Sequence, residues 1–118
     1  MPFAARRIEE PYQPRHTLVA LVQDRPGVLN RAVSLFRRRG MNIAELQVAR
    51  TGRAGISRMT WVVESGDVDG VLRQLGKLIE VLDVYPVDHT DTDAHAAADA
   101  ERRLDALLPA DAQADGVP

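Results

Sequence analysis

Apolar positions along this chain follow two rhythms that alternate with each other. Thr17 to Gln23 (TLVALVQ) is apolar on both faces, which suits a central strand covered on at least one side. Leu29, Ala32, Val33 and Phe36 then recur at i, i+3, i+4 and i+7, the stripe of an amphipathic helix. Arg37, Arg38 and Arg39 crowd its last turn, where cations complement the helix dipole, and Gly40 follows as a residue free to adopt positive φ. Ala44, Leu46 and Val48 alternate with Glu45, Gln47 and Ala49, the pattern of a half-exposed strand. Thr51 to Gly55 is a turn of hairpin length. Met59, Trp61 and Val63 alternate with Arg58, Thr60 and Val62 to give a third strand. A second helical stripe runs from Asp67 to Ile79 through Val68, Val71, Leu72, Leu75, Leu78 and Ile79. Leu82, Val84, Tyr85 and Val87 form a last strand, and Pro86 favours an edge position because it cannot donate to a ladder.

The order β-α-β-β-α-β is the ferredoxin-like split βαβ arrangement, an α+β class. Right-handed crossovers place both helices on one face of a four-stranded antiparallel sheet. The other face is expected to be bare, yet Leu18/Val19 and Trp61/Val62 make the strands apolar on both sides. A domain of this size buries only roughly 60–65% of its unfolded surface and is marginal alone. Both facts predict oligomerisation, with the second strand as the edge that pairs with a copy of itself.

Charge divides the 118 residues more sharply than their net −2 suggests. Residues 1–15 carry +1, residues 16–90 carry +2 and residues 91–118 carry −5. The first segment, with Pro2, Pro11 and Pro14, reads as a flexible arm, and the second as the folded domain. The third is an acidic, Ala-rich tail with a helix from about Ala94 to Leu108 and a thin stripe of Leu104, Leu107 and Leu108, ending at Pro109. It reads as a solvated, partly helical or disordered appendage. The absence of cysteine excludes disulfides, Cys-ligated zinc and a thiol nucleophile. No apolar run reaches membrane-spanning length, and Arg6 and Arg7 have no apolar stretch behind them, so a cytoplasmic protein is expected.

One segment carries candidate chemistry: Asp24-Arg25-Pro26-Gly27-Val28-Leu29, between the first strand and the first helix. Pro26 pre-sets φ for a helix start, Gly27 leaves room for close approach to the backbone, and Asp24 can cap first-turn N–H groups. That is a complete account of a strand-to-helix turn. The same parts also suit a free amino acid. Helix N-terminal N–H groups receive its carboxylate, and a nearby carboxylate or amide holds its ammonium.

Asp24-x-Pro26-Gly27-x-Leu29 after an apolar strand resembles the signature of ACT domains, ferredoxin-like modules that bind amino acids and regulate metabolic enzymes. The wider stretches Arg25–Arg31, Leu35–Leu46, Ser57–Thr60 and Lys77–Val84 resemble the regulatory (small) subunit of acetolactate synthase, also called acetohydroxyacid synthase. The similarity covers about Thr17 to Val87. It implies a non-catalytic subunit that works on a separate catalytic subunit using thiamine diphosphate, Mg and FAD. It also implies feedback inhibition of branched-chain amino acid biosynthesis, chiefly by valine. In that family the effector lies between two ACT domains. Asp24, Arg25, Pro26, Gly27, Val28 and Leu29 would form the loop of one chain, and Asn42 and Ile43 would come from its neighbour. Gly27 and Val28 N–H groups would meet the carboxylate, with Asp24 and Asn42 on the ammonium or the loop geometry. Residues 91–118 do not resemble the second domain of longer members, so a short, single-domain type is expected.

A stand-alone ACT amino-acid sensor acting on another protein is the alternative. An RNA-binding module of this fold needs aromatic residues on its central strands, and Trp61 is the sole strand aromatic before Tyr85. Trp61 and Met59 read as packing residues, while Arg58 points the other way and can meet an acidic partner. His16, His89 and His95, with Asp88, Asp91 and Asp93, lack metal-ligand spacing. No catalytic Ser/His/Asp set and no phosphate loop is present.

Overall fold

The computed structural model describes residues 15–64, 66–87 and 93–108. The arm over residues 1–14 and the chain after residue 108 lie outside the described residues, as do Asp88, His89 and Asp91. In chain order the elements are β1 (Arg15–Gln23), α1 (Val28–Arg38), β2 (Asn42–Arg50), β3 (Ile56–Glu64), α2 (Val68–Gly76), β4 (Val81–Val87) and α3 (Asp93–Leu107). The sheet runs β2-β3-β1-β4 and every neighbouring pair is antiparallel, the ferredoxin-like order.

Alternation along the two central strands divides their side chains between two layers. Leu18, Ala20 and Val22 of β1 and Met59, Trp61 and Val63 of β3 face α1 and α2. There they pack on Val28, Ala32, Leu35 and Phe36 of α1 and on Val71 and Leu75 of α2. Trp61 is fully buried and stacks on Phe36 with ring centroids 4.4 Å apart. Such a pair adds about 0.5–1.5 kcal/mol beyond the area it buries.

The first helix ends as its composition dictates. Arg37 and Arg38 fill its last turn, and Gly40 takes φ 68°. Arg39 reaches Asp67 at 2.7 Å, tying the end of α1 to the start of α2. Asp67 caps α2 by accepting from the Gly70 N–H at 2.9 Å. The second helix stops at Gly76, short of the expected Ile79. Successive turn hydrogen bonds from Lys77, Leu78 and Val81 rotate the chain there. Leu78 stays against the core while Ile79 turns outward, 84% exposed.

The expectation of a bare second face is overturned. The outer face of the sheet is occupied by α3, whose Ala100 and Leu104, with Leu108 just past its end, follow one another at intervals of four. They pack on Val19 and Leu21 of β1 and Tyr85 of β4. Arg103 lies 3.5 Å over the Tyr85 ring and pairs with Asp83 at 3.0 Å. The tail segment over residues 93–108 is therefore a packed helix and not a solvated appendage. Its stripe is Ala100-Leu104-Leu108, with Leu107 left 46% exposed. The edges of the sheet are β2, which leaves Leu46 and Val48 exposed, and β4, where Pro86 stands opposite Leu18.

Candidate functional site

The loop between β1 and α1 is anchored at its start and open at its end. Gln23 donates its backbone N–H to the Glu80 carbonyl at 2.8 Å, and Asp24 donates to the Gly55 carbonyl at 2.8 Å. Asp24, Arg25, Pro26 and Gly27 are all exposed. Gly27 is the residue before the helix and adopts φ 84°, a conformation that favours glycine. Val28 turns into the core, 3% exposed, and fixes the first turn of α1 against the sheet. Leu29 stays on the surface beside the loop.

Asp24 does not cap α1. The N-cap residue is Gly27, and no side chain bonds the first-turn N–H groups. The first turn also holds no acidic residue. The Val28 N–H is engaged in a 3.3 Å turn bond to the Arg25 carbonyl. The Gly27, Leu29 and Asn30 N–H groups have no acceptor among the described residues. Of the expected Gly27 and Val28 pair, the structure thus leaves the Gly27 donor free and engages that of Val28, with Leu29 and Asn30 as further free donors. Helix periodicity could not separate these, because the Arg25–Val28 turn decides which donor is free.

Beneath the loop lies a pair that no sequence pattern marked. Arg31, one turn into α1, forms a salt bridge with Glu80, whose side chain is only 8% exposed. A Cβ at Gly27 would come within 3.1 Å of the Arg31 guanidinium. Arg31 therefore runs under the loop, and Glu80 holds it there.

Asn42 and Ile43 stand at the far end of the sheet. Asn42 is opposite Glu64, which is opposite Arg15 at the start of β1, whereas Asp24 follows the end of β1. At ~3.3 Å per residue, the length of β1 puts roughly 25–30 Å between them. The exposed Asn42 amide donates to the Glu64 carboxylate at 2.7 Å, and Glu64 also pairs with Arg15 at 3.2 Å. Ile43 is half-buried against the core. One chain does not bring these residues to the loop.

Met59 is buried in the core, and Arg58 lies half-buried on the outer face with its Nε in the interior and unpaired among the described residues.

Sheet order, two crossover helices and a glycine-turned loop at the end of β1 together define an ACT-type module. The family profile described as "AHAS small subunit-like ACT domain" matches residues 18–83, and the chain belongs to that family. A probable acetolactate synthase small subunit from Archaeoglobus fulgidus is 47% identical over 81 residues, covering 67% of this chain and 51% of that protein. The acetolactate synthase small subunit of Mycolicibacterium smegmatis is 42% identical over 95 residues, covering 79% and 56%. The crystal structure of the acetolactate synthase small subunit from Thermotoga maritima has a TM-score of 0.59 at 34% identity, covering 65% of this chain and 49% of that one. The chain spans about half the length of the curated relatives it matches.

Proposed function

We propose that this chain is the regulatory module of an acetolactate synthase, a non-catalytic partner of a thiamine-diphosphate-dependent catalytic subunit. It binds a branched-chain amino acid, valine first, and passes that binding on as a change in catalytic rate. The observation that carries the reading is the start of α1. Unpaired N–H groups and the positive end of the helix dipole meet there, with no side-chain carboxylate to occupy them. An effector carboxylate fits at that edge. Asp24, exposed at the loop's start, suits the ammonium.

The second half of the site comes from a second copy. In an antiparallel pairing of β2 with its counterpart, the start of one β2 lies beside the end of the other. Asn42 and Ile43 of the neighbour then approach the loop end of this chain's sheet. The free edge of β2 and its exposed Leu46 and Val48 favour that pairing. Mechanism follows from linkage: an effector that bridges two copies stabilises their paired state, and the catalytic subunit responds by no more than its differential affinity for that state. Among the described residues no helix is long and apolar enough to cross a membrane, and we place the protein in the cytoplasm with its catalytic partner.

Calorimetric titration with valine, leucine and isoleucine tests the site, using the wild-type chain, Gly27→Asp and Asn42→Ala. Both substitutions should weaken binding, and unchanged valine affinity in both would remove the site assignment. Co-purification with the catalytic subunit, and a change in its rate, tests the partner. Valine binding without either effect would point to a stand-alone sensor.

A further inference from the structure

The family match ends at residue 83, so α3 lies wholly beyond it. Yet α3 directs two of its acidic side chains at one loop of the matched region, the β2–β3 hairpin. The Glu101 carboxylate accepts the Gly52 N–H at 2.6 Å. Arg53 donates to the Asp105 carboxylate at 3.0 Å, and its own side chain is only 12% exposed. An acidic helix thus meets a basic hairpin, flanked by Arg50. Ile56, at the hairpin's end, packs into the apolar cluster around Leu104.

The same hairpin holds the candidate effector loop from the opposite side, through the bond from the Asp24 N–H to the Gly55 carbonyl at 2.8 Å. Between loop and hairpin lies a cavity of about 320 Å³ bordered by Asp24, Arg50, Arg53 and Gly55. Side-chain packing does not fill that gap, so the link is through backbone: the Asp24–Gly55 bond and the Gln23–Ile56 pair that precedes it in the β1–β3 ladder. The hairpin is braced internally. Thr51 Oγ1 lies 2.9 Å from the Ile56 carbonyl and 3.1 Å from the Arg53 N–H, and the Ile56 N–H returns to the Arg53 carbonyl. A displacement at Gly52 and Arg53 is therefore carried to Gly55.

We propose that α3 is a clamp on the effector loop. Docked, it fixes the hairpin, and the hairpin fixes Asp24 and the start of α1 in the geometry that presents their N–H groups. Released, it frees Gly52 and Arg53 and loosens the hairpin end that anchors Asp24. The physiological sense of the clamp rests on the effector reading given above; the mechanical coupling does not. By reciprocity, an effector held at the loop tightens α3, and any partner that lifts α3 weakens effector binding by the same factor. The two hairpin contacts are the clamp's outer part, with Asp105 73% exposed, while Ala100, Leu104 and the Arg103–Asp83 pair hold α3 to the sheet.

Amide exchange on the full chain, without effector, tests this directly. Glu101→Ala/Asp105→Ala removes both contacts to the hairpin while keeping good helix formers in α3. We expect the Asp24 amide to exchange about three- to tenfold faster, as befits loss of two partly exposed charge-assisted contacts. Amides of β1 and β3 in the core should not change. Glu101→Gln alone, which keeps an acceptor for Gly52 and leaves the Arg53–Asp105 pair intact, should keep exchange slow. Unchanged Asp24 protection in the double variant overturns the clamp. In a second arm, valine affinity should fall by a similar factor in the double variant, and undiminished affinity overturns the coupling to the effector. Should the wild-type chain bind no branched-chain amino acid, the effector reading falls, and Asp24 exchange alone decides the clamp.

Discussion

Gly27 is where backbone conformation and ligand geometry meet, and two substitutions there should separate them. Its φ of 84° costs a residue with a Cβ about 1–2 kcal/mol. The added Cβ would stand 3.1 Å from the Arg31 guanidinium, the far end of a flexible side chain, so that contact relaxes at little cost. Gly27→Ala should therefore lose about 1–2 kcal/mol, or roughly 5–15 °C in Tm for a domain of this size. Gly27→Asp starts from the same strain but recovers part of it. Short polar side chains tolerate this conformation, and a carboxylate at the helix start gains about 0.3–1 kcal/mol from the dipole. Binding should rank the two variants in the opposite order. The new carboxylate of Gly27→Asp sits where the effector's carboxylate must sit, and should lower valine affinity by more than about tenfold, the loss of one charge-assisted interaction. Gly27→Ala should lose far less. Thermal melts and calorimetry on the same preparations measure both rankings. If Gly27→Asp binds valine as tightly as Gly27→Ala, the N–H groups of α1 are not the carboxylate site.

Two further results follow from buried groups. Glu80→Gln leaves Arg31 without its counter-charge under the loop and should cost about 1–2 kcal/mol in urea unfolding, the half-exposed guanidinium keeping the loss below that of a fully buried pair. Tyr85 beneath α3 has its pKa pushed up to about 12, chiefly by burial, with Asp99 and Asp83 adding to the shift and Arg103 opposing it. The unfolded phenol ionises near pH 10, so the stability held by the neutral ring is complete below pH 10 and lost as pH rises towards 12. Absorbance titration of a Tyr12→Phe variant should show that late midpoint, and a midpoint near 10 would mean that α3 does not cover the ring.

The domain core was legible because its signals are local. Strand alternation, the i, i+3, i+4 stripe of α1 and the Thr51–Gly55 turn each name an element without knowledge of the others. The turn after Gly76 was less legible, since Leu78 and Ile79 extend the α2 stripe in sequence while the backbone turns Ile79 out. The docking of α3 was not legible. Its apolar seal is one Ala and two Leu, and its specificity lies in pairs such as Glu101–Gly52 and Arg53–Asp105, about fifty residues apart, which no periodicity registers. At the candidate site the loop was readable from Pro26 and Gly27, but the state of each N–H depended on the turn around Arg25, and nothing in the Lys77–Val84 stretch showed that Glu80 meets Arg31, forty-nine residues away.

Pro86 sets a terminus to the β2-to-β2 pairing proposed above. A proline is accommodated on an edge strand with its donor-less nitrogen turned away from the ladder, so β4 offers an incoming strand a broken row of donors. With α1 and α2 on one face and α3 on the other, β2 is the one intact edge the sheet presents for growth. Pairing there about a two-fold axis consumes that edge in both copies and leaves β4 at each outer margin. A sheet with one open side and one closed side can count only to two, and so stops at a pair where two open sides would lead on to a fibre.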